Sequence, residues 1–239
     1  MNHPADYHRM TSYRRDRLPG APPGEAPPPF KRYADDLPRV ELPRPEKLPT
    51  ASFWETVAHR RSVRDYVAAP LSTEELFLLL WATQGITRPG RLPMRATPSA
   101  GALYPVETYV AVGRVDGLAP GLYHWELPEE RLVELRRDEA IARCVAAACL
   151  DQAMCAGSAC IFLWTAVFDR TAAKYGARGI RYVYLDAGHV GQNLQLAATA
   201  LDLGSCNIGA LFDDEVNELL GVDGRLEAVV YAAAVGRTA

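Results

Sequence analysis

The pattern of apolar and polar positions separates a proline-rich N-terminal arm from a periodic remainder. Residues 1–50 contain eleven of the eighteen prolines, and proline interrupts helices and central strands. We therefore predict an extended arm over 1–50 and one folded domain over 51–239. Tyr7, Phe30 and Tyr33 give the arm aromatic anchors, so we expect it to wrap the surface instead of forming a free tail.

Two serine motifs predict the first helices of the domain. Ser52 and Ser72 each precede a glutamate by three residues, which is the spacing of a capping box. The helix after Ser52 should end near Arg60. The helix after Ser72 is apolar on nearly every side, so it should be buried, with Gly85 at its C-terminal cap.

Apolar runs between these helices and the C-terminus predict a central sheet. The strands are expected at 106–112, 121–125, 131–135, 159–167 and 226–235. The run at 159–167 is continuously apolar, which is typical of a strand buried on both faces. Helical spacing over 138–150 and a helix beginning at Asp213 show that helices are interleaved with the strands.

Residues 178–203 carry apolar side chains at steps of three and four, which predicts one long helix ended by Gly204. At about 1.5 Å per residue it would span roughly 39 Å, so we expect a dimer core, with a buried intramolecular helix as the alternative. Gly188 and Gly191 would each cost about 1 kcal/mol in an exposed helix. Close backbone packing is therefore expected at both glycines.

The composition excludes several classes of protein. The 239 residues are 49% hydrophobic with a net charge of -3, which is unfavourable for broad attraction to nucleic acid or an anionic membrane. The chain has no long apolar run and no signal-peptide pattern, so we expect a cytoplasmic protein. Motifs for dinucleotide-binding folds, P-loops, hydrolase elbows and zinc proteases are missing.

The cysteines and histidines give no pattern of a metal site. Cys144, Cys149, Cys155 and Cys160 are spaced too evenly for a CxxC motif, and we interpret the cysteines as small buried hydrophobic residues. His189 lies on the long predicted helix without a partner four residues on, which favours a core histidine over a catalytic one. We predict no metal site.

The segment Arg60-Arg61-Ser62-Val63-Arg64 is the main candidate for chemistry. It places three guanidinium groups and a hydroxyl within five residues, and arginine suits bidentate contacts with phosphate or a delocalised anion. An extended backbone would point residues 60, 62 and 64 to one side. The alternative is a solvated basic turn. Arg237 follows the last predicted strand and would either be solvated or add a phosphate contact.

The loop at 97–105 consists mainly of small residues and has a proline near each end. Glycine and alanine there would let a flat ligand approach the backbone, and Ser99 would supply a hydroxyl. The alternative is a tight connector. A second short segment of small residues follows at 205–210.

Several motifs together resemble one known family over nearly the whole chain. They are 7–11 (YHRMT), 29–33 (PFKRY), 60–64 (RRSVR), 99–105 (SAGALYP), 121–123 (GLY), 174–179 (KYGARG), 186–193 (DAGHVGQN) and 235–237 (VGR). The sequence resembles the FMN-dependent nitroreductase-fold proteins, and within them the SagB-type azoline dehydrogenases. This resemblance implies an α+β fold, a mixed and mainly antiparallel sheet flanked by helices in an intertwined homodimer, with the arm embracing the partner.

The resemblance also implies FMN at the dimer interface and assigns its binding residues. They are Arg60, Arg61, Ser62, Arg64, Pro98, Ser99, Ala100, Gly101, Ile208, Gly209 and Arg237. Arg60 and Arg237 would hold the phosphate, and the loop would line the ring. The backbone of 208–209 would lie near N5 and O4. Ser62 would contact the ribityl and pyrimidine side with Arg64, whose fixed charge would stabilise the reduced flavin and raise its potential.

By the same resemblance, Lys174 and Tyr175 correspond to a Lys-Tyr pair of the azoline dehydrogenases, which would remove the ring proton as hydride leaves to the flavin. A lysine base must be neutral, which requires burial or a nearby cation. Arg170, Arg178 and Arg181 lie close in sequence. The alternative is a surface lysine beside a packed tyrosine.

The implied activity is an FMN-dependent oxidoreductase that transfers hydride between a small or peptide substrate, such as an azoline, and flavin N5. Two alternatives remain open. One is a nitro or quinone reductase that uses NAD(P)H. The other is a catalytically silent flavin-binding scaffold within a peptide-modifying complex, because the sequence contains no separate module for a leader peptide.

Overall fold

The computed structural model describes residues 3, 5–16, 25–91 and 93–239. The portion of the predicted arm at 17–24 lies outside the described residues. Within them the chain forms one central antiparallel sheet with helices on both faces. The predicted α+β fold is confirmed.

Seven strands in the order β1-β6-β5-β4-β7-β9-β8 form the sheet. Their bounds are β1 Arg39–Glu41, β4 Val106–Val112, β5 Gly121–Glu126, β6 Arg131–Arg137, β7 Cys160–Val167, β8 Leu203–Ile208 and β9 Glu227–Arg237, and a separate hairpin pairs β2 Ile86–Arg88 with β3 Met94–Arg95. Every neighbouring pair is antiparallel. Side chains of β4 and β7 are almost all buried, because helices cover both sides of these central strands.

Eight α-helices accompany the sheet in the described part of the chain. They are α1 Ala5–Met10, α2 Phe53–His59, α3 Thr73–Gln84, α4 Ile141–Ala148, α5 Ala153–Gly157, α6 Phe168–Tyr175, α7 Gly179–Ala200 and α8 Asp213–Leu220. α3 and α7 pack on one face and form the larger core, while α4, α5 and α8 form a second core on the opposite face.

The capping signals work as predicted for α3 and in part for α2. Both reciprocal hydrogen bonds of the capping box join Ser72 and Glu75, whereas Ser52 only accepts a 3.5 Å bond from the Glu55 amide. α3 is buried along most of its length, as expected. Gly85 is its C-terminal cap with a φ of -51° and not a left-handed conformation.

The long helix is shorter than the prediction. α7 has 22 residues and ends at Ala200, because Asp202 adopts a positive φ of 55° that no helix continues. Gly204 therefore does not end the helix but lies within β8. Gly191 is closely packed, since a Cβ there would lie 2.6 Å from the Tyr231 ring. Gly188 has nothing within 4 Å among the described residues, so close packing there stays a prediction.

The described part of the arm contacts the folded domain at several points, and Ala5–Met10 form the short helix α1 instead of the predicted extended backbone. The carbonyl oxygens of Pro28 and Pro29 accept hydrogen bonds from two buried arginines, and Phe30 packs against the larger core. Farther along, β1 adds the edge strand to β6. The predicted wrapping is confirmed, and contact with a partner subunit stays a prediction.

Smaller sequence predictions need correction. His189 and Cys144 are exposed; His189 was expected in the core and Cys144 among buried hydrophobic residues. The short segment of small residues at 205–210 contributes most of β8, and Arg237 is the last residue of β9 instead of following it. Among the described residues, no group of His, Cys, Asp or Glu could hold a metal ion, and no helix could cross a membrane.

Candidate functional site

The arginine segment leaves α2 and lies along the edge of the sheet. Ser62 forms an isolated parallel bridge with Ser205, and the Val63 amide donates to the Ser205 carbonyl at 2.9 Å. Farther on, the Val67 amide donates to the carbonyl of Arg237 at 2.9 Å. The segment is therefore extended, as expected, and its backbone position is fixed by β8 and the end of β9.

Two facing glycines allow this close approach. Gly204 of β8 is paired with Gly236 of β9. A Cβ on Gly204 would lie 2.9 Å from Val63, and one on Gly236 would lie 2.9 Å from the ring of Tyr66. Larger residues would push the arginine segment away from the sheet.

The guanidinium groups of the segment differ in their partners. Arg60 is half-buried and donates to Gln195 of α7 at 3.0 Å, while Arg61 is exposed and donates to the His59 carbonyl. Among the described residues, the exposed Arg64 side chain makes no hydrogen bond or ion pair. The segment thus keeps charged donors available to a ligand.

Arg237 is held in place by residues of the chain itself. Its guanidinium donates two bonds of 2.8 and 2.9 Å to Glu75 and one to the Pro70 carbonyl. Glu75 is also the capping residue of α3. A phosphate contact from Arg237 stays a prediction, and the Glu75 carboxylate would compete with the phosphate for this guanidinium group.

The small-residue loop is held by a carboxylate that the sequence analysis did not single out. Asp186 of α7 accepts a 2.6 Å bond from the Ser99 hydroxyl and a 3.3 Å bond from the Ala100 amide. Ser99 in turn accepts from the Tyr104 amide at 2.9 Å. Burial raises the pKa of Asp186, although these bonds oppose the shift. The hydroxyl of Ser99 therefore fixes the loop and is not free for a ligand.

Gly101 brings this loop against the Lys-Tyr pair. Its φ is +67°, and a Cβ there would lie 2.7 Å from the Tyr175 hydroxyl and 2.8 Å from the Lys174 ammonium. Pro98 is exposed and Ala100 is half-buried beside it. The structure therefore brings together the loop and the candidate catalytic pair, which lie far apart in sequence.

The charge environment of Lys174 differs from the sequence-based expectation. Its side chain is exposed, and its ammonium lies 5.2 Å from the centre of the Tyr175 ring. The three arginines nearby in sequence pair elsewhere: Arg170 with Glu107, and Arg178 and Arg181 with Thr11 of the arm. Within the described residues, Lys174 is therefore not buried, and none of these three arginines is paired beside it.

The end of β8 supplies the last candidate position. Ile208 is buried and pairs with Ala232, whereas Gly209 is exposed. Beside them, the buried side-chain oxygen of Asn207 has no hydrogen-bond partner among the described residues. The exposed backbone and the unpartnered amide oxygen are suited to the polar edge of a ligand.

The arginine segment and the small-residue loop contact α7 at different points. Gln195 holds Arg60 and Asp186 holds the loop, nine residues apart along the helix, or about 14 Å. One chain therefore does not bring these two groups side by side. The donors nevertheless fit FMN: arginine and hydroxyl groups suit its phosphate and ribityl chain, and the glycine loop suits its flat ring.

A helix-flanked antiparallel sheet with these donors defines the class as flavin-dependent oxidoreductases. The nitroreductase family model matches residues 57–237, and the chain belongs to the nitroreductase family, whose cofactor is FMN. It is 37% identical over 187 residues to the nitroreductase-type protein MJ1384 of Methanocaldococcus jannaschii, covering 78% of this chain and 91% of that protein.

A second relative is the trifolitoxin-processing protein TfxB of Rhizobium leguminosarum bv. trifolii. It is 28% identical over 220 residues, which cover 87% of this chain and 59% of the Rhizobium protein. The present chain therefore spans little more than half the length of that relative. The similarity is consistent with the SagB-type branch of the family.

Solved structures confirm the fold. A nitroreductase-type protein of Anabaena variabilis superposes with a TM-score of 0.77 at 30% identity, over 98% of this chain and 46% of that one. The microcin synthetase McbBCD complex of E. coli, bound to truncated pro-MccB17, gives 0.63 at 19% identity over 86% and 79%. A Desulfovibrio desulfuricans nitroreductase-type protein in complex with FMN gives 0.56 at 22% over 79% and 87%.

Proposed function

We propose that this nitroreductase-family oxidoreductase is an FMN-dependent dehydrogenase that oxidises azoline rings in a peptide-like substrate. The observation that carries the proposal is the convergence of Lys174 and Tyr175 on Gly101, where both polar atoms lie within 2.8 Å of one point. This proximity supports a role for the pair as proton acceptor beside the loop proposed to line the flavin ring. The similarity to a protein named for trifolitoxin processing supports a peptide substrate.

Oxidation of an azoline to an azole removes a proton from one ring carbon and a hydride from its neighbour, leaving a new carbon–carbon double bond. Bound FMN supplies the hydride acceptor at N5. Lys174 accepts the proton and Tyr175 orients the lysine. Ser99, held by Asp186, keeps the loop at a fixed distance from both groups, because a preorganised site needs no rearrangement during the reaction.

Lys174 must be neutral to accept a proton, although it is exposed in the single chain. Covering it with flavin, substrate and a second protomer would remove water and favour the neutral amine. We therefore propose that the lysine becomes a base only in the loaded assembly. The same assembly would bring the arginine segment and the loop, separated along α7, to one flavin.

We propose the homodimer predicted from the sequence as that assembly. Tyr184 and Leu185 on α7 are 55% and 59% exposed, and Phe53 and Trp54 on α2 are 62% and 78% exposed. Such apolar faces are typical of protein interfaces. In a dimer, Arg60 and Arg237 would bind the phosphate of FMN, with Arg61 beside them. Ser62 and Arg64 would bind its ribityl and pyrimidine side, and residues 98–101 and 208–209 would line its ring. Light scattering should give twice the chain mass.

Anaerobic single-turnover spectroscopy tests the proposed reaction. We expect a thiazoline peptide to bleach the flavin absorbance of the FMN-loaded wild-type protein. Lys174→Ala should slow bleaching by at least about a hundredfold, within the range that general-base catalysis contributes, while FMN stays bound. Lys47→Ala, a change at an exposed lysine of the arm, is the matched control. Wild-type bleaching in Lys174→Ala would exclude the lysine as the base.

The 37% identity to a nitroreductase-type protein favours a second candidate, reduction of nitroaromatics or quinones with NAD(P)H. The same spectra distinguish the two functions. Bleaching by NADPH or NADH but not by the azoline peptide would favour the reductase. A flavin that neither donor reduces would favour a scaffold subunit instead.

A further inference from the structure

A cavity of about 390 Å³ lies between the N-terminal arm and the start of α7. One wall is formed by residues 9–14 of the arm and the other by residues 175–178. Tyr175 is thus both a member of the Lys-Tyr pair and part of the cavity wall. The cavity therefore connects the arm, which has no other role in the proposed reaction, with the proposed catalytic pair.

The arm wall is built into the fold. The Tyr7 hydroxyl donates to the Ala177 carbonyl at 3.2 Å, and Arg178 donates to the Thr11 carbonyl at 3.0 Å. Arg181 donates to the Thr11 hydroxyl at 2.7 Å, and Thr11 is only 5% exposed. These contacts fix the arm against α7, so the cavity keeps its shape without a ligand.

A row of stacked side chains connects the arm wall with the Lys-Tyr pair. The Arg178 guanidinium lies 4.4 Å from the Tyr13 ring centre and 5.5 Å from that of Tyr182. Tyr182 then meets the Tyr175 ring edge-on at 4.9 Å between centres, and the Lys174 ammonium lies 5.2 Å from the centre of the Tyr175 ring. A group bound at the arm therefore lies next to the position where the ring proton would be removed.

The charge of the cavity indicates what it binds. Its lining includes Arg9, Arg14 and Arg178 together with Met10 and Tyr13, and no acidic residue is among the described residues that line it. Guanidinium groups on both walls suit the two oxygens of a carboxylate, and the apolar side chains suit the adjoining carbon skeleton. Arg178 is already oriented by its contact with Tyr13, so little ordering is needed on binding.

We infer that this cavity binds a carboxylate of the substrate next to the ring that is oxidised, with Arg9 and Arg14 of the arm as its specificity-determining residues. The inference rests on the proposed azoline oxidation for the identity of the substrate. The presence of a carboxylate site in the cavity does not depend on it. The arm would then select substrates and not merely cover the domain.

Two small azolines that differ only in charge test the inference in the FMN-loaded protein. They are 2-phenylthiazoline-4-carboxylate and its methyl ester. The Arg9→Met/Arg14→Met variant should raise the KM of the acid about tenfold or more, which corresponds to the loss of a charge-assisted hydrogen bond. It should leave kcat and the KM of the ester unchanged. Arg143→Met, a change at an exposed arginine of α4, is the matched control.

Equal effects on acid and ester, or no effect on either, would overturn the inference. A change confined to the KM of NADPH, with NADH and the azoline acid unaffected, would also overturn it, because the cavity would then serve a phosphate of the electron donor. An acid-specific change that Arg143→Met reproduces would indicate general electrostatic attraction and not this cavity.

Direct binding separates this inference from the proposed reaction. Equilibrium dialysis of the oxidised, FMN-loaded protein with 2-phenylthiazole-4-carboxylate should give binding about tenfold weaker in the double variant than in wild type. Such binding without any azoline oxidation would remove the proposed function and leave the carboxylate site standing. Oxidation of the azoline acid without arginine-dependent binding would support the proposed function and overturn the carboxylate site.

Discussion

Arg95 and Arg170 are almost fully buried beneath the arm, whereas Arg61 and Arg64 are exposed beside β8. Arg170 forms a 2.7 Å ion pair with Glu107 and donates to the Pro28 carbonyl. Arg64 makes no ion pair with any described residue. The charges of Arg95 and Arg170 are therefore engaged within the fold, whereas those of Arg61 and Arg64 are available to a ligand.

Glu107 is the centre of the buried region. It accepts hydrogen bonds from His124 and from the Lys31 amide, and it pairs with Arg170. Burial lowers the pKa of Arg95 to about 10, although the charge of Glu107 opposes the shift. We call Glu107, His124, Arg95 and Arg170 the buried ionic network. Arg170 and His124 pair with Glu107, and the two arginines donate to arm carbonyls, so the network fastens the arm to β4 and α6.

The comparison predicts that removing charge affects stability in one region and ligand affinity in the other. A buried charge that loses its partner remains desolvated, which costs several kcal/mol. An exposed charge loses little when it is removed, because water already solvates it. Four changes test this division, from the largest expected effect to the smallest.

The largest effect is expected for Glu107→Gln, which keeps the shape of the side chain but leaves Arg170 without a counter-charge. The free energy of unfolding in urea should fall by about 3–5 kcal/mol. Glu139→Gln, at an exposed glutamate before α4, should change it by less than about 0.5 kcal/mol. Similar values for both variants would mean that the network does not stabilise the fold.

The pH dependence of unfolding tests the Glu107 carboxylate without a substitution. Burial opposes its charge, but the hydrogen bond with His124 and the charges of Arg170, His124 and Arg95 outweigh burial and lower its pKa from 4.5 to about 2. Because the folded-state pKa lies below the unfolded one, this stabilisation is complete above about pH 4.5 and is lost as the pH falls towards 2.

This difference between the unfolded-state and folded-state pKa of Glu107 corresponds to about 3 kcal/mol of unfolding free energy. Unfolding free energies measured from about pH 6 down to pH 3 should therefore fall more steeply for wild type than for Glu107→Gln, and the two curves should approach each other in acid. Parallel curves would show that another group controls the acid sensitivity.

In the exposed region, Arg64→Ala should weaken FMN binding about tenfold or more, since one charge-assisted hydrogen bond is lost. The reduction potential of the bound flavin should fall, because a fixed positive charge no longer stabilises its reduced form. The unfolding free energy of the apoprotein should stay within about 0.5 kcal/mol. Arg143→Ala is the control, and an unchanged FMN affinity and potential in Arg64→Ala would exclude Arg64 from the flavin site.

Local sequence signals predicted much of the fold. The S-x-x-E motif predicted the start of α3, and the apolar patterns predicted five strands of the sheet, β4, β5, β6, β7 and β9, to within about two residues at each end. The buried strand β8 was missed, because its residues are small and were interpreted only as a short small-residue segment. The end of α7 was missed because Asp202 adopts a left-handed conformation that nothing in the apolar spacing announces. His189 was wrongly assigned to the core. The buried face of α7 follows steps of three and four through Ala187, Val190 and Leu194, and position 189 lies outside this series.

The candidate site was predicted as a set of residues but not as a geometry. The arginine segment and the loop could be recognised by residue type, whereas the contact of Gly101 with Lys174 joins distant parts of the chain and depends on tertiary packing. Asp186 had a usable signal, since it is an acidic residue beside the apolar positions of α7. A buried carboxylate generally has hydrogen-bond partners, and here they are Ser99 and Ala100.

Arg237 lies between the two regions, because it is half-exposed but paired with Glu75. If Arg237 binds the flavin phosphate, the Glu75 carboxylate competes with that phosphate for the guanidinium group. Glu75→Gln should then tighten FMN binding a few-fold by weakening the competing pair. The amide oxygen can still accept from Ser72, so the capping box of α3 survives and stability should fall by no more than about 1 kcal/mol.

Isothermal titration of the apoprotein with FMN measures this smallest effect, with Glu74→Gln at the neighbouring position of α3 as the control. Tighter binding in Glu75→Gln alone would place Arg237 among the ligand-binding arginines. An unchanged affinity would group it with Arg170, as a charge that the fold has already paired.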